Sequence, residues 1–427
     1  MRKALGRALP VSLAVIAASA GVAYATGALS SAPSTIVGCA KNVNGQLRIV
    51  GSPSDCAPSE HAVQFAAPQA PNGPAAVTVD CAAGQSVNQA LADTADATQV
   101  DITIKGTCTE PVHIFRDDVT LQGAAPGDGL TQPSGHTVLT VDSARRVELD
   151  QLTITGGQSG LSILDGAQVL AFDLHVSSAD DQDVSADSGT SLILNNAIVE
   201  GGDIGLIAHS GGSIDMNNAT VSGSHHFAVE ADKNGTIGIG GGTLVTGAGS
   251  QGVIATQGGT VDLGDATVQN NGGAGVFVFT GGNAFVAQGT VVQHNGQGGV
   301  SANSGTVEIQ GHVTSNNGCG VCGFNGARIT LQNGAVVDSN QGNGINMSVG
   351  STLAVGNNVS ILNNAQNGVQ LHDTTVGGFD SSDHISGNHL WGVLCDGPPA
   401  VALVTHGPGW AATVSGNGAG NISCPSA

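Results

Sequence analysis

The chain is poor in charge, and in positive charge above all. Charged residues make up 10% of it, and 11 Lys and Arg stand against 32 Asp and Glu, for a formal net charge of −21. That sign repels phosphate backbones and anionic headgroups, which excludes nucleic acid and anionic membranes as default partners. Beyond the first 25 residues no run approaches the roughly 18 apolar residues that a membrane span needs, so membrane insertion is excluded as well. Little charge together with 66 glycines could indicate disorder, but 40% hydrophobic residues and an ordered repeat argue against it.

What is present begins with an export signal over 1–25. Arg2, Lys3 and Arg7 precede the apolar stretch Ala8 to Ala20, and Ala23-Tyr24-Ala25 supplies a small-x-small cleavage site. Cleavage removes the single tyrosine and three of the eleven basic residues, moving the formal charge from −21 to −24. The expected location is extracellular or associated with the cell envelope, where the eight cysteines read first as disulfides.

A short pattern then returns along the chain: Asn271…Gly275-Val276, Asn295…Gly299-Val300, Asn316…Gly320-Val321, Asn340…Gly344-Ile345, Asn364…Gly368-Val369 and Asn388…Gly392-Val393. A period in the twenties marks a solenoid. Counted from each Gly, apolar residues recur at +1 and +3 (Val276 and Val278), at +9 and +11 (Leu353 and Val355), and near +16 (Val336). Three short inward-facing stretches per coil describe three parallel sheets around a narrow core. Repeat starts near Gly160, Asp183, Gly205, His226 and Gly252 bring the total to about twelve coils. The Asn residues read as turn residues whose stacked amides hydrogen-bond from coil to coil.

Upstream, 26–65 forms a small β module in which Cys39 and Cys56 bracket the alternating strand Leu47-Arg48-Ile49-Val50. This run resembles a two-cysteine module at the start of many bacterial secreted proteins. Pro68, Pro71 and Pro74 make 66–76 a semi-stiff linker. The solenoid itself is assigned to 77–427. Ser86 caps an amphipathic stretch from Val87 to Ala95 that can shield the open end of the core. Alternating strands follow at Ile102-Thr103-Ile104 and Val119-Thr120-Leu121. This opening resembles the first coil of right-handed parallel β-helix proteins of the pectin-lyase-like type, which implies an all-β, right-handed, three-sheet solenoid with a helical cap. Cys81 and Cys108 are expected to close the cap onto that coil. Cys395 and Cys424 both fall at +3 of successive coils, about 4.8 Å apart, within bridging range. Cys319 and Cys322 are about 10 Å apart in extended chain; they are a bent local disulfide, free thiols or a redox pair.

In enzymes of the fold this chain resembles, substrate lies on the outward face of the first strand of each coil, here +2 and +4. The +4 positions place Asp187, His209 and Glu230 on successive coils, with Lys233 close by. Two carboxyls flanking an imidazole suit general acid–base work on a glycosidic bond. With Asp180, Asp181 and Asp183 in the adjoining turn they can instead hold calcium, or they form a solvated polar face. No cofactor is otherwise implied. Phe277, Phe279 and Phe324 also point outward, either as a stacking platform for sugar rings or as a patch covered by another segment. Galacturonase-like signatures are echoed only by Asp180-Asp181 and His209-Ser210-Gly211, and no Arg-x-Lys follows. The expectation is a non-catalytic protein that binds a polysaccharide or cell-surface component; the alternative is a polysaccharide-degrading enzyme, a hydrolase rather than a lyase. Oligomeric state is not legible.

Overall fold

The computed structural model describes residues 35–42, 46–66, 73–373, 376–396, 403–406 and 413–424. The expected signal segment lies outside them. The chain divides into two units between Ala70 and Pro71. In the first, Thr35–Lys41 pairs antiparallel with both Leu47–Val50 and Glu60–Ala66. Cys39 and Cys56 are bridged, with their Cα atoms 5.3 Å apart, and Arg48 Nη2 lies 2.7 Å from Glu60 Oε2. So small a sheet buries little, and the disulfide supplies what its core cannot.

The second unit is a right-handed parallel β-helix of three sheets with 14, 15 and 14 strands. The first sheet carries the +1 to +4 residues, the second +9 to +11, and the third the residues near +16. Each strand of two to six residues is too short to stand alone and pairs in parallel with the neighbouring coils. Alternation decides the facing: Val276 and Val278 are fully buried, whereas Phe277 and Phe279 between and beyond them are half-buried on the outside. About 14 coils replace the expected dozen. The additional coils lie at the N-terminal end, where the irregular turns around Gly123–Asp128 and Gln132–His136 carry no Asn…Gly marker. Fourteen rungs at about 4.8 Å give a rod of roughly 65 Å.

Between the first and second sheets the chain turns through a residue in the left-handed region: Asp165, Ser188, Ser210, Lys233, Gln257, Thr280, Ser304, Asn325, Val349 and Asp373, with φ between 40° and 57°. Most are short polar residues that tolerate this backbone. Thr280 and Val349 are β-branched and strained there, and Val349 alone of the set is apolar.

The opposite turn holds the amide ladder. The Nδ2 atoms of Asn271, Asn295, Asn316, Asn340, Asn364 and Asn388 each donate to the Oδ1 of the next Asn at 3.0 Å, ending on Asn417. The same oxygens accept backbone N–H groups, as Asn340 Oδ1 does from Asn316 at 3.0 Å. These Asn side chains are buried, and the ladder satisfies atoms that would otherwise be costly to desolvate.

The helix Val87–Asp93 caps the open end, two residues shorter than the expected stretch. Ser86 Oγ accepts from Gln89 N–H, and Val87 and Ala90 are buried against the core. Cys81–Cys108 and Cys395–Cys424 are bridged at opposite ends of the rod, with Cα separations of 4.9 and 4.7 Å. Cys319 and Cys322 are also bridged: Cys319 sits in the turn before the strand Val321–Phe324, so the chain bends and the Cα atoms are 6.0 Å apart rather than the extended distance.

Candidate functional site

The register of the first sheet decides which outward residues are neighbours. Ala186 pairs with Ala208, and Ala208 with Ala231, so the residues just beyond them stack in the order Asp187, His209, Asp232. Glu230 belongs to the other outward column, opposite Ile207 and Ile254. The placement of Glu230 beneath His209 is therefore corrected. The coil begins at Ala228, which stands opposite Gly205, and not at His226. Asp232 is the residue missed, because no Gly or Asn marks the start of this coil.

The cluster keeps its composition and gains a carboxylate. His209 Nε2 lies 3.6 Å from Asp187 Oδ2, and Ser210 Oγ lies 3.4 Å from His209 Nδ1. Lys233 Nζ lies 3.4 Å from Asp232 Oδ2. Asp187 Oδ1 and Asp232 Oδ1 are both buried without a hydrogen-bond partner, and Asp232 is only 8% exposed. Unpartnered buried acceptors are uncommon, and these two face a demand for a donor. Glu230 is two residues from Asp232 on the same face. Burial between apolar neighbours, reinforced by the Asp232 charge and opposed by Lys233, pushes its carboxyl above the ordinary glutamate range. One strand thus carries a carboxyl that holds its proton longer than usual beside a second carboxyl paired with Lys233.

Of the residues expected to hold calcium, Asp183 is turned inward. Asp183 is fully buried, and its two oxygens accept Ala179 N–H at 3.0 Å and Gly202 N–H at 2.8 Å. It performs in this coil the bridging that the Asn ladder performs downstream. Burial raises its pKa to about 6 against the two hydrogen bonds, which favour the charged form. Among the described residues, the one group of three potential ligand atoms within 4.8 Å is Cys39, Cys56 and Glu60, and its sulfurs are joined in a disulfide.

Two to four rungs on, the same face turns aromatic. Phe277 follows Ile254 and Phe279 follows Thr256 in the two columns, with ring centroids 5.2 Å apart and planes 24° from parallel. Phe324 lies two rungs beyond Phe279, past Asn303. The acidic group and the aromatic pair therefore share one continuous strip.

Comparison with known proteins bears on the fold. A family model described as a right handed beta helix region matches residues 251–417. No curated protein matches the chain in sequence. Among solved structures, the Dettilon tailspike protein is 9% identical with a TM-score of 0.44 over 72% of this chain and 62% of its own, so the chain spans under two thirds of that protein. The A-module of the Azotobacter vinelandii mannuronan C-5 epimerase AlgE6 is 14% identical, with a TM-score of 0.42 over 80% and 94%. The catalytic unit of the GH87 alpha-1,3-glucanase of Streptomyces thermodiastaticus is 12% identical, with a TM-score of 0.43 over 86% and 74%. Register, repeat and family match converge on one description: the chain is a right-handed parallel β-helix repeat protein.

Proposed function

We propose that the chain is a glycan-binding protein that holds a polysaccharide along the outward face of the first sheet, from Asp187 to Phe324. The observation that carries this is the continuity of the strip, in which the stacked Phe277–Phe279 pair follows the acceptor-rich Asp187–His209–Asp232 group. Sugar rings present apolar faces that stack on aromatic side chains. Their hydroxyls can donate to carboxylates and imidazoles such as those of Asp187, His209 and Glu230 on the same face. Three carboxyls against one Lys233 favour a neutral polymer over a polyuronate. Four disulfides fit an oxidising compartment outside the cytosol. Affinity electrophoresis through gels containing neutral or acidic polysaccharides tests the reading. Retardation by a neutral glycan is expected, weakened at least about tenfold, or 1.4 kcal/mol, in the Phe277→Ala/Phe279→Ala variant. No retardation by any glycan, or retardation indifferent to that variant, overturns it.

A second reading, hydrolysis of the bound glycan, is favoured by Glu230. A carboxyl with a raised pKa beside a second carboxyl paired with a lysine is the arrangement that lets one donate a proton to a leaving oxygen while the other works as base or nucleophile. Reducing ends released by the wild type and lost in both Glu230→Gln and Asp232→Asn support hydrolysis. Binding without release leaves the first reading alone.

A further inference from the structure

The far end of the same sheet carries a different constellation. Met347 pairs with Leu371, and His372 with Asp396, so Ser348, His372 and Asp396 occupy one outward column on three successive rungs. His372 Nδ1 lies 2.5 Å from Asp396 Oδ1. That oxygen is buried and accepts no hydrogen bond from the described residues. The other carboxylate oxygen is fixed: Gln370 Nε2 donates to Asp396 Oδ2 at 2.9 Å. Gln370 is itself held by Asn343 Nδ2 at 2.7 Å, Asn343 Oδ1 by Asn367 Nδ2 at 3.0 Å, and Asn367 Oδ1 by the backbone N–H of Trp391 at 3.0 Å. A chain of four hydrogen bonds thus runs from the backbone to the carboxylate that faces the imidazole.

Stacked imidazole–carboxylate pairs occur elsewhere on the rod, at His209–Asp187 and His312–Asp338. What separates His372 is its other side. The rung beyond it there presents Ser348, about 4.8 Å away by strand spacing, whose hydroxyl has no hydrogen-bond partner among the described residues. Asn346, two residues earlier on the same face, has a buried amide oxygen without a donor. Phe324, one rung before Ser348, adds an apolar surface, and the residue after Ser348 is the strained Val349.

We propose that Ser348, His372 and Asp396 form a second site, which hydrolyses carboxylic esters by acyl transfer. Ser348 Oγ attacks the ester carbonyl as His372 takes its proton. The C–O bond to the alcohol breaks, and His372 returns the proton to the leaving oxygen. Water then attacks the acyl-serine, His372 carries its proton to Ser348, and the carboxylic acid leaves. Asp396 touches no substrate and is a positioning residue. The acyl group rests on Phe324, so short acyl esters of an alcohol are the expected class.

The test needs no glycan, so it stands or falls apart from the glycan-binding proposal. The full chain is treated with a fluorophosphonate and mapped by mass spectrometry, and its turnover of p-nitrophenyl acetate is followed. The expected result is phosphonylation at Ser348 that is absent in Ser348→Ala, with ester turnover reduced at least ~10²-fold in Ser348→Ala and His372→Gln. Asp396→Asn is expected to lower kcat with little change in KM, as loss of orientation alone requires. An unlabelled Ser348, a label on another residue, or turnover that survives Ser348→Ala overturns the proposal.

Discussion

Replacing Asp183 by Asn should change how the stability of the rod depends on pH. The Asp183 carboxyl is fully buried and titrates at about 6, against 3.8 for the free group. Desolvation is the main cause, and the N–H groups of Ala179 and Gly202 oppose it. The folded state therefore binds this proton more tightly than the unfolded chain does. Its stabilising contribution is full below pH 3.8 and disappears as pH rises through about 6. A shift of that size corresponds to about 3 kcal/mol at 1.36 kcal/mol per pH unit. The amide of the Asp183→Asn variant cannot titrate, so the stability of the wild type relative to that variant should fall by up to about 3 kcal/mol between roughly pH 3.5 and 7.5. Urea unfolding of both proteins across that range measures the difference and cancels every group they share. Glu200 and His225 act on Asp183 electrostatically, so part of the slope reflects coupling to them. Amide exchange at Ala179 and Gly202 gives a local readout that does not require two-state unfolding of a repeat array. A difference that is flat with pH, or that grows as pH rises, refutes the reasoning.

Truncating Asn340 to Ala removes the acceptor for Asn316 N–H and the donor to Val313 C=O, leaving both buried. The expected loss is about 2–4 kcal/mol from two unsatisfied groups, read as a lower urea midpoint. Cys395→Ser with Cys424→Ser opens a loop of sequence separation 29, and loop entropy predicts a cost of about 3–4 kcal/mol. Proteolysis should then begin in the last coil rather than in the middle of the rod. Ala in place of Gly368 would set a Cβ 2.6 Å from Gly392 O and 2.7 Å from Asn388 Nδ2. It should destabilise by at least about 1–3 kcal/mol, detectable by thermal unfolding.

The repeat made most of this rod readable because it fixes facing: once Gly275 is zero, Val276 and Val278 must point inward. The bridge between Cys395 and Cys424 followed from the same register. Register is lost where the marker is absent. Ala228 occupies the Gly position of its coil, and starting two residues early exchanged Asp232 for Glu230. The N-terminal coils were undercounted for the same reason, since turns of irregular length carry no periodic signal. The column containing Ser348, His372 and Asp396 is visible in sequence. The hydrogen-bond chain through Asn343 and Gln370 is not, because it depends on side-chain conformations that spacing leaves open.

The amide ladder is indifferent to the length of chain between its members. Successive asparagines are 24, 21, 24, 24, 24 and 29 residues apart, yet every amide-to-amide distance is 3.0 Å. The ladder is a spine along one edge of the rod, and the rest of each coil is free to vary around it. Coils can gain or lose residues in the turns away from that edge without breaking alignment, so new surface loops can be carried on this scaffold while the geometry of the first sheet stays fixed.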